Sequence, residues 1–395
     1  MSRTDDDRQG GAGLMAAAAL AVDQAEELLL GTVRDVHGAV AKRAFGLTNR
    51  AAGESGRTAQ QMHDHVAGAV YSGLGAAARA ASAGLRAADK RGVGPRLEST
   101  ASGRHVLSAV NGLIGDRLAA ETPDLAIPMA VRANGADVPL EPDALAAAHP
   151  SASPDVAVFL HGLGENDDSW SLRREEHGGT YGSRLEVDTG WTPVYLRANT
   201  GLPIAENGVA LASLLDDLVA AWPTPVRRIA LVGHSMGGLI MRAACAVTTD
   251  AERVWTSLVT NVVTLGSPHL GAPLERAVNV GARVLGVLPE SAPFGRILEY
   301  RSVGILDLRS GLAADMQQLP HARYHLVAAT LASSHRHPVS HLFGDLFVRY
   351  PSAVGRPRRG REMFPGADVL HVPGTDHFGL LNHPDVYASL KNWLS

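Results

Sequence analysis

The 395-residue sequence has one cysteine, Cys245, so neither an internal disulfide nor a cysteine-rich metal site holds the chain together. Aromatic residues make up 5% of it, and lysine is scarce, the basic side being mostly arginine. Basic and acidic residues number 36 and 40, a formal net charge of -4, which supplies no global positive field for a nucleic-acid partner. Long apolar runs are missing too. The longest Ala-rich stretch, Gly11 to Val22, falls short of the roughly 20 residues a bilayer span needs. It also follows Asp5, Asp6 and Asp7 instead of the basic segment that opens a secretory signal. The expectation is a soluble, cytoplasmic chain, with peripheral contact at a membrane or lipid surface left open and the oligomeric state undetermined.

What is present is a composition ordinary for a globular enzyme, 45% hydrophobic and 19% charged, which removes disordered and collagenous classes. Residues 1–12 read as a disordered N-terminus and residues 13–120 as an Ala-rich helical region. Leu29, Val33, Val36 and Val40 form one apolar stripe at helical spacing, and Met62, Val66, Val70 and Leu74 form another. Breaks at Gly53 to Gly56 and Arg91 to Pro95 separate two helices from a third near His105 to Leu118. The stripes are expected to pack between helices or onto the rest of the chain; a membrane-surface face is the alternative.

Residues 121–395 change character. Ala126 to Leu140 alternate around Asn134-Gly135, a dipeptide suited to the positive φ of a tight hairpin turn. Short apolar runs then alternate with helical stretches: Val156 to Leu160, Val194 to Leu196, Ile229 to Val232, Val259 to Leu265, His325 to Thr330 and Val369 to Val372. That pattern predicts an α/β fold, a mostly parallel sheet with crossover helices. An insertion over 271–320, with an apolar stretch from Val278 to Leu288, interrupts it before the fifth parallel strand, where a lid or a plain helical excursion would fit.

Gly233-His234-Ser235-Met236-Gly237 matches the nucleophile-elbow pattern, between a strand-like Arg228 to Val232 and a helix-like Gly238 to Ala244. Ser235 is the candidate nucleophile. A serine hydroxyl needs a base and a carboxylate to orient that base. His377 is the candidate base, because a loop after the final strand returns an imidazole over the sheet's carboxyl edge. His371 reads as core or edge and His383 as a turn or cap. His335, His337 and His341 lack a matching carboxylate and read as solvated, so no metal is expected. Asp345 is the candidate acid, giving the chain order Ser, Asp, His; Asp307 is the runner-up, and Asp376 adjoins the base too closely. His161-Gly162-Leu163-Gly164 follows the first parallel strand, making the Leu163 and Met236 amides the expected oxyanion donors and His161 a turn-shaping hydrogen-bonder.

With these motifs the chain resembles the lipase-like α/β-hydrolase superfamily, nearest to the GPI inositol-deacylase-like and triacylglycerol-lipase-like groups, over roughly Ala126 to Ser395. Leu196-Arg197-Ala198-Asn199-Thr200-Gly201 and Gly266-Ser267-Pro268-His269-Leu270-Gly271 add to the likeness. Ser267 and His269 are expected to shape the mouth of the site. The resemblance implies a small-molecule ester substrate with a lipid-like or otherwise apolar acyl group, an acyl-enzyme, no cofactor and no nucleic-acid partner. The helical amino-terminal region has no counterpart in the minimal fold. A catalytically idle scaffold that docks a partner or membrane through its helices is the rival class; a thioesterase or acyltransferase is the rival enzyme.

Overall fold

The computed structural model describes residues 97–247, 254–271, 302–310, 318–337, 344–357 and 361–395, with scattered positions between 19 and 91. The chain divides into two compact units, residues 1–97 with 276–301, and residues 98–275 with 302–395. In the first, residues 79–88 are helical and the Ser82 hydroxyl donates to the Ala19 carbonyl at 3.2 Å. Residues 1–12, both apolar stripes, the break at 53–56 and the stretch 278–288 lie outside the described residues.

The second unit carries an eight-stranded sheet in the order β2-β1-β4-β3-β5-β6-β7-β8. Its strands are β1 (Ala130–Ala133), β2 (Ala136–Val138), β3 (Asp155–Leu160), β4 (Thr192–Arg197), β5 (Arg228–His234), β6 (Val259–Leu265), β7 (Arg323–Thr330) and β8 (Asp368–Pro373). The helices described around it are α1 (Ala101–Glu121), α2 (Pro142–Ala148), α3 (Tyr181–Thr189), α4 (Ile204–Ala221), α5 (Met236–Ala246), α6 (Val254–Leu258), α7 (Val303–Ser310), α8 (Tyr350–Ala353) and α9 (Pro384–Trp393). From β4 to β8 every neighbouring pair is parallel. β1 and β2 form the expected hairpin at one edge, with Asn134 at φ 52 and Gly135 at φ 77, and β1 runs antiparallel to β4. This is the mostly parallel α/β sheet with flanking helices that the alternation predicts.

Why β3 reads as an unbroken apolar run follows from its burial on both faces. Val156, Val158 and Leu160 enter one core, while Ala157 and Phe159 enter the other. The first core is covered by α4, α5 and α6 through residues such as Leu211, Leu215, Leu239 and Trp255. The second is covered by α3 and α9 through Tyr181, Leu185, Val386 and Leu390. Each such side chain contributes about 1.5–3 kcal/mol by leaving water. Because the strands are parallel, their carboxyl ends share one edge, where the loops that carry function collect.

α1 begins at Thr100, whose hydroxyl accepts from the Gly103 amide at 3.1 Å. Its backbone leaves the helical region at Ile114, with φ -140 and ψ 22. Ser302 inserts there: its amide donates to the Leu113 carbonyl at 2.8 Å and its hydroxyl to the Gly112 carbonyl at 2.7 Å. The helix lies directly against the loops after β3 and β4. Asn199 donates from Nδ2 to the Gly115 carbonyl at 3.0 Å, and a Cβ on Gly112 would stand 2.8 Å from the Gly164 Cα. Residue 112 therefore has to be glycine-sized. The third helix of the amino-terminal region thus belongs to the sheet unit, and the division of the chain falls between 97 and 98.

Candidate active site

β5 delivers Ser235 to the carboxyl edge of the sheet and α5 begins immediately after it. Ser235 has φ 51 and ψ -120, a conformation that costs a non-glycine residue about 1–3 kcal/mol and persists only where its surroundings enforce it. They do so here through the Ser235 amide, which donates to the Leu265 carbonyl at 2.8 Å, and the Ser235 carbonyl, which accepts from the Gly238 amide at 3.2 Å. Ser235 is partly exposed, and its hydroxyl makes no hydrogen bond among the described residues.

His377 follows β8, and Asp345 lies in the turn after β7. The two meet, His377 Nδ1 donating to Asp345 Oδ2 at 2.8 Å with both side chains buried. Asp345 is held from behind: Oδ1 accepts from the Phe347 amide at 3.0 Å and from the Val348 amide at 2.7 Å. The His377 amide also donates to the Asp345 carbonyl at 3.0 Å. On the serine side, the imidazole lies against Gly266, where a Cβ would stand 3.1 Å from Nδ1 and Cε1. Gly266 follows Leu265, the residue that takes the Ser235 amide, so one strand end supports both the serine and the imidazole. The structure thus brings Asp345 and His377 into contact, and Ser235 beside the same strand end without a hydrogen bond to His377. Such bonds are often long before a substrate arrives.

The rival acids are occupied elsewhere. Asp307 Oδ2 accepts from the Ile204 amide at 2.8 Å, at the start of α4. Asp376 Oδ1 accepts from the Gly379 amide at 2.7 Å, capping the turn after His377. His383 caps α9, its Nδ1 accepting from the Asp385 amide at 3.2 Å, and His371 pairs with the Thr330 hydroxyl at 2.8 Å. His335 stacks on Tyr350 with ring centroids 4.5 Å apart, and His341 lies outside the described residues.

Gly162 and Leu163 turn past the serine, a Cβ on Gly162 falling 2.9 Å from the Ser235 Cβ. Neither the Leu163 amide nor the Met236 amide has an acceptor among the described residues, and Met236 is fully buried at the start of α5. The first amide of a helix has no intrahelical acceptor, and Leu163, next to the Gly162 that packs on Ser235, is only partly buried. The turn is fixed by His161, whose Nε2 accepts from the Ala198 amide at 3.1 Å and whose Nδ1 donates to the Gly162 carbonyl at 2.9 Å. Burial pushes the His161 pKa down, which keeps that tautomer neutral. Farther along, Arg104 grips Asp168 through two bonds of 2.8 and 3.0 Å, and the buried Arg132 reaches Asp167 at 3.2 Å.

Sequence reasoning passed over two residues here. The buried His234 has Nδ1 3.1 Å from the Glu165 carboxylate and Nε2 3.2 Å from the His377 carbonyl. Burial alone would push the Glu165 carboxyl up and the His234 imidazole down. Their attraction reverses both, holding Glu165 low and His234 high. The one signal in the sequence is that a histidine occupies the variable position of the elbow.

Ser267 and His269 depart from expectation. Both are fully buried, not at the mouth of the site. His269 uses each ring nitrogen inside the core, Nδ1 accepting from Arg242 at 3.2 Å and Nε2 facing the Thr264 hydroxyl at 3.2 Å, and it packs edge-on to Phe364. Burial pushes its pKa well below the usual range, so it is a neutral core residue. Exposed aromatic rings instead stand beside His377, those of Phe347 and Phe378 at 5.3 and 5.7 Å from the imidazole.

A family model described as a PGAP1-like alpha/beta domain matches residues 210–285, which include the later part of α4, the elbow and β6. No curated protein matches the chain significantly by sequence. Among solved structures, the mature Bacillus licheniformis lipase BlEst2 is 18% identical with a TM-score of 0.43, covering 61% of this chain and 92% of that one. A Pyrococcus furiosus esterase is 12% identical with a TM-score of 0.38, over 62% and 82%. EstA of Clostridium botulinum is 15% identical with a TM-score of 0.39, over 62% and 87%.

Proposed function

We propose that this chain is a lipase-like α/β-hydrolase that cleaves carboxylic esters of apolar acyl groups through an acyl-enzyme. Ser235 attacks the ester carbonyl, and His377 takes the serine proton at Nε2 and returns it to the leaving alcohol. Asp345 fixes the Nδ1–H tautomer and stabilises the imidazolium. The Leu163 and Met236 amides receive the oxyanion, each worth about 2.7–4 kcal/mol in comparable sites. Water then repeats the sequence on the acyl-enzyme. The observation that carries this reading is the 2.8 Å bond between Asp345 and His377, beside a serine held at positive φ where a strand becomes a helix. The exposed Phe347 and Phe378 beside the imidazole favour an apolar acyl group over a charged one.

The test is release of nitrophenol from nitrophenyl esters of graded chain length by wild type and by Ser235→Ala. Loss of turnover in a variant that keeps its melting temperature supports the reading; equal turnover in both removes it. No helix among the described residues is long and apolar enough to cross a membrane.

A further inference from the structure

The residue before the candidate nucleophile has no part in that mechanism, yet it is fully buried and hydrogen bonded at both ring nitrogens. The His377 carbonyl can only accept, so His234 Nε2 carries a proton. His234 Nδ1 faces a carboxylate whose oxygens both lie 3.1 Å away. Glu165 is committed in its turn: Oε2 accepts from the Gly162 amide at 3.0 Å, and the Glu165 amide donates back to the Gly162 carbonyl at 3.2 Å. A continuous chain of bonds therefore runs Gly162 amide, Glu165 carboxylate, His234 imidazole, His377 carbonyl. One end is the residue preceding the proposed oxyanion donor Leu163; the other is the main chain of the proposed base.

We infer that Glu165 and His234 are positioning residues, a buried charged brace that sets the distance between the oxyanion turn and the His377 loop; this rests on the reading of Ser235, His377 and Asp345 as the reacting set. Stability alone does not account for the brace. A buried ion pair is often no more stabilising than apolar residues of the same volume, because two charges must leave water. Its particular property is directional: each bond fixes an atom that has to lie within a fraction of an ångström of its working place. The rings around it leave little freedom, with His377 at 4.8 Å, Phe378 at 6.2 Å and Trp170 at 6.5 Å between centroids. Nothing in the proposed mechanism requires either residue to touch substrate.

The experiment compares wild type with Glu165→Gln, His234→Gln and the double variant on nitrophenyl butyrate, with active sites counted by a fluorophosphonate label and Tm measured for each. The expected result is a kcat lower by about 10–100-fold per labelled site in each single variant, with KM within about twofold. The double variant should be no slower than the slower single one, since both cut the same chain of bonds. A folded Glu165→Gln enzyme with wild-type kcat overturns the inference, as do single effects that multiply independently. A lowered Tm with unchanged kcat makes the pair structural only and likewise overturns it. Should Glu165→Gln fail to fold, Glu165→Asp keeps the charge but withdraws the acceptor from Gly162. It should lower kcat severalfold at unchanged KM, and an unchanged kcat refutes the brace. Wild type that neither hydrolyses esters nor takes the label ends the functional reading and the inference together. Active wild type beside fully active brace variants ends the inference alone.

Discussion

His377 binds Asp345 twice, from its ring Nδ1 to Oδ2 at 2.8 Å and from its own amide to the Asp345 carbonyl at 3.0 Å. The second bond positions the histidine whatever the carboxylate does; the first selects the tautomer.

Asp345→Asn therefore separates placement from protonation. A carboxamide keeps the backbone bond and an acceptor for Phe347 and Val348, but can present N–H to Nδ1 and leave the wrong nitrogen protonated. Turnover should fall by about 10⁴-fold with KM little changed, as for the equivalent change in a serine protease triad. Steady-state kinetics with a nitrophenyl ester, beside a thermal melt, measures both parts.

Arg132 has a side chain 0% exposed and pairs with Asp137 at 2.6 Å and Asp167 at 3.2 Å. Arg132→Ala strands the nearly buried Asp167 carboxylate in the short helical turn that follows Gly162 to Gly164. Breaking such a pair costs about 3 kcal/mol, the low end of the usual range because Asp137 keeps access to water. Urea unfolding should show the lowered midpoint at unchanged slope.

Asp155, at the start of β3, sits between the guanidinium groups of Arg227 and Arg228, each 2.7 Å from Oδ2. Burial raises its pKa, but the two arginines prevail and hold it below the ordinary 3.8. A carboxyl with a depressed folded-state pKa adds stability above its unfolded value, and loses it as pH falls through the folded value. Asp155→Asn should lower stability at neutral pH and flatten its decline below about pH 4. Chemical denaturation from pH 7 to pH 2 checks the sign.

Removal of residues 1–97 should leave ester turnover within about twofold, because the sheet, both cores and α1 lie in the second unit. Extending the cut to residue 121 removes Gly112 and Gly115 from the loops they support, and should abolish turnover. Gly112→Val is the point-mutation counterpart: its side chain must displace the backbone at Gly164, and kcat should drop by at least tenfold. Matched assays on the three proteins decide it.

The parallel strands were legible because apolar runs such as Val156 to Leu160 have to be covered on both faces, and the edge hairpin was legible in Asn134-Gly135. The pairing of Asp345 with His377 was anticipated from chain order, since a loop after each of the last two strands must return to one edge. Three things escaped. Glu165 and His234 are 69 residues apart, and an ion pair leaves no periodicity. Ser267 and His269 looked like mouth residues, but the partners that draw His269 inward, Arg242 and Phe364, come from α5 and from a distant loop. The placement of α1 was hidden by its Ala-rich composition, although glycines at 112 and 115 within a helix mark a close approach.

The bonds at Ser302 have a practical side. Where the chain returns from the 272–301 stretch it is clamped to the Leu113 and Gly112 carbonyls, and where it departs, the Gly271 carbonyl takes the Ser352 hydroxyl at 2.9 Å. Those two fastenings are natural splice points: a foreign segment grafted between residues 271 and 302 would inherit fixed ends, while the sheet and its loops stay untouched.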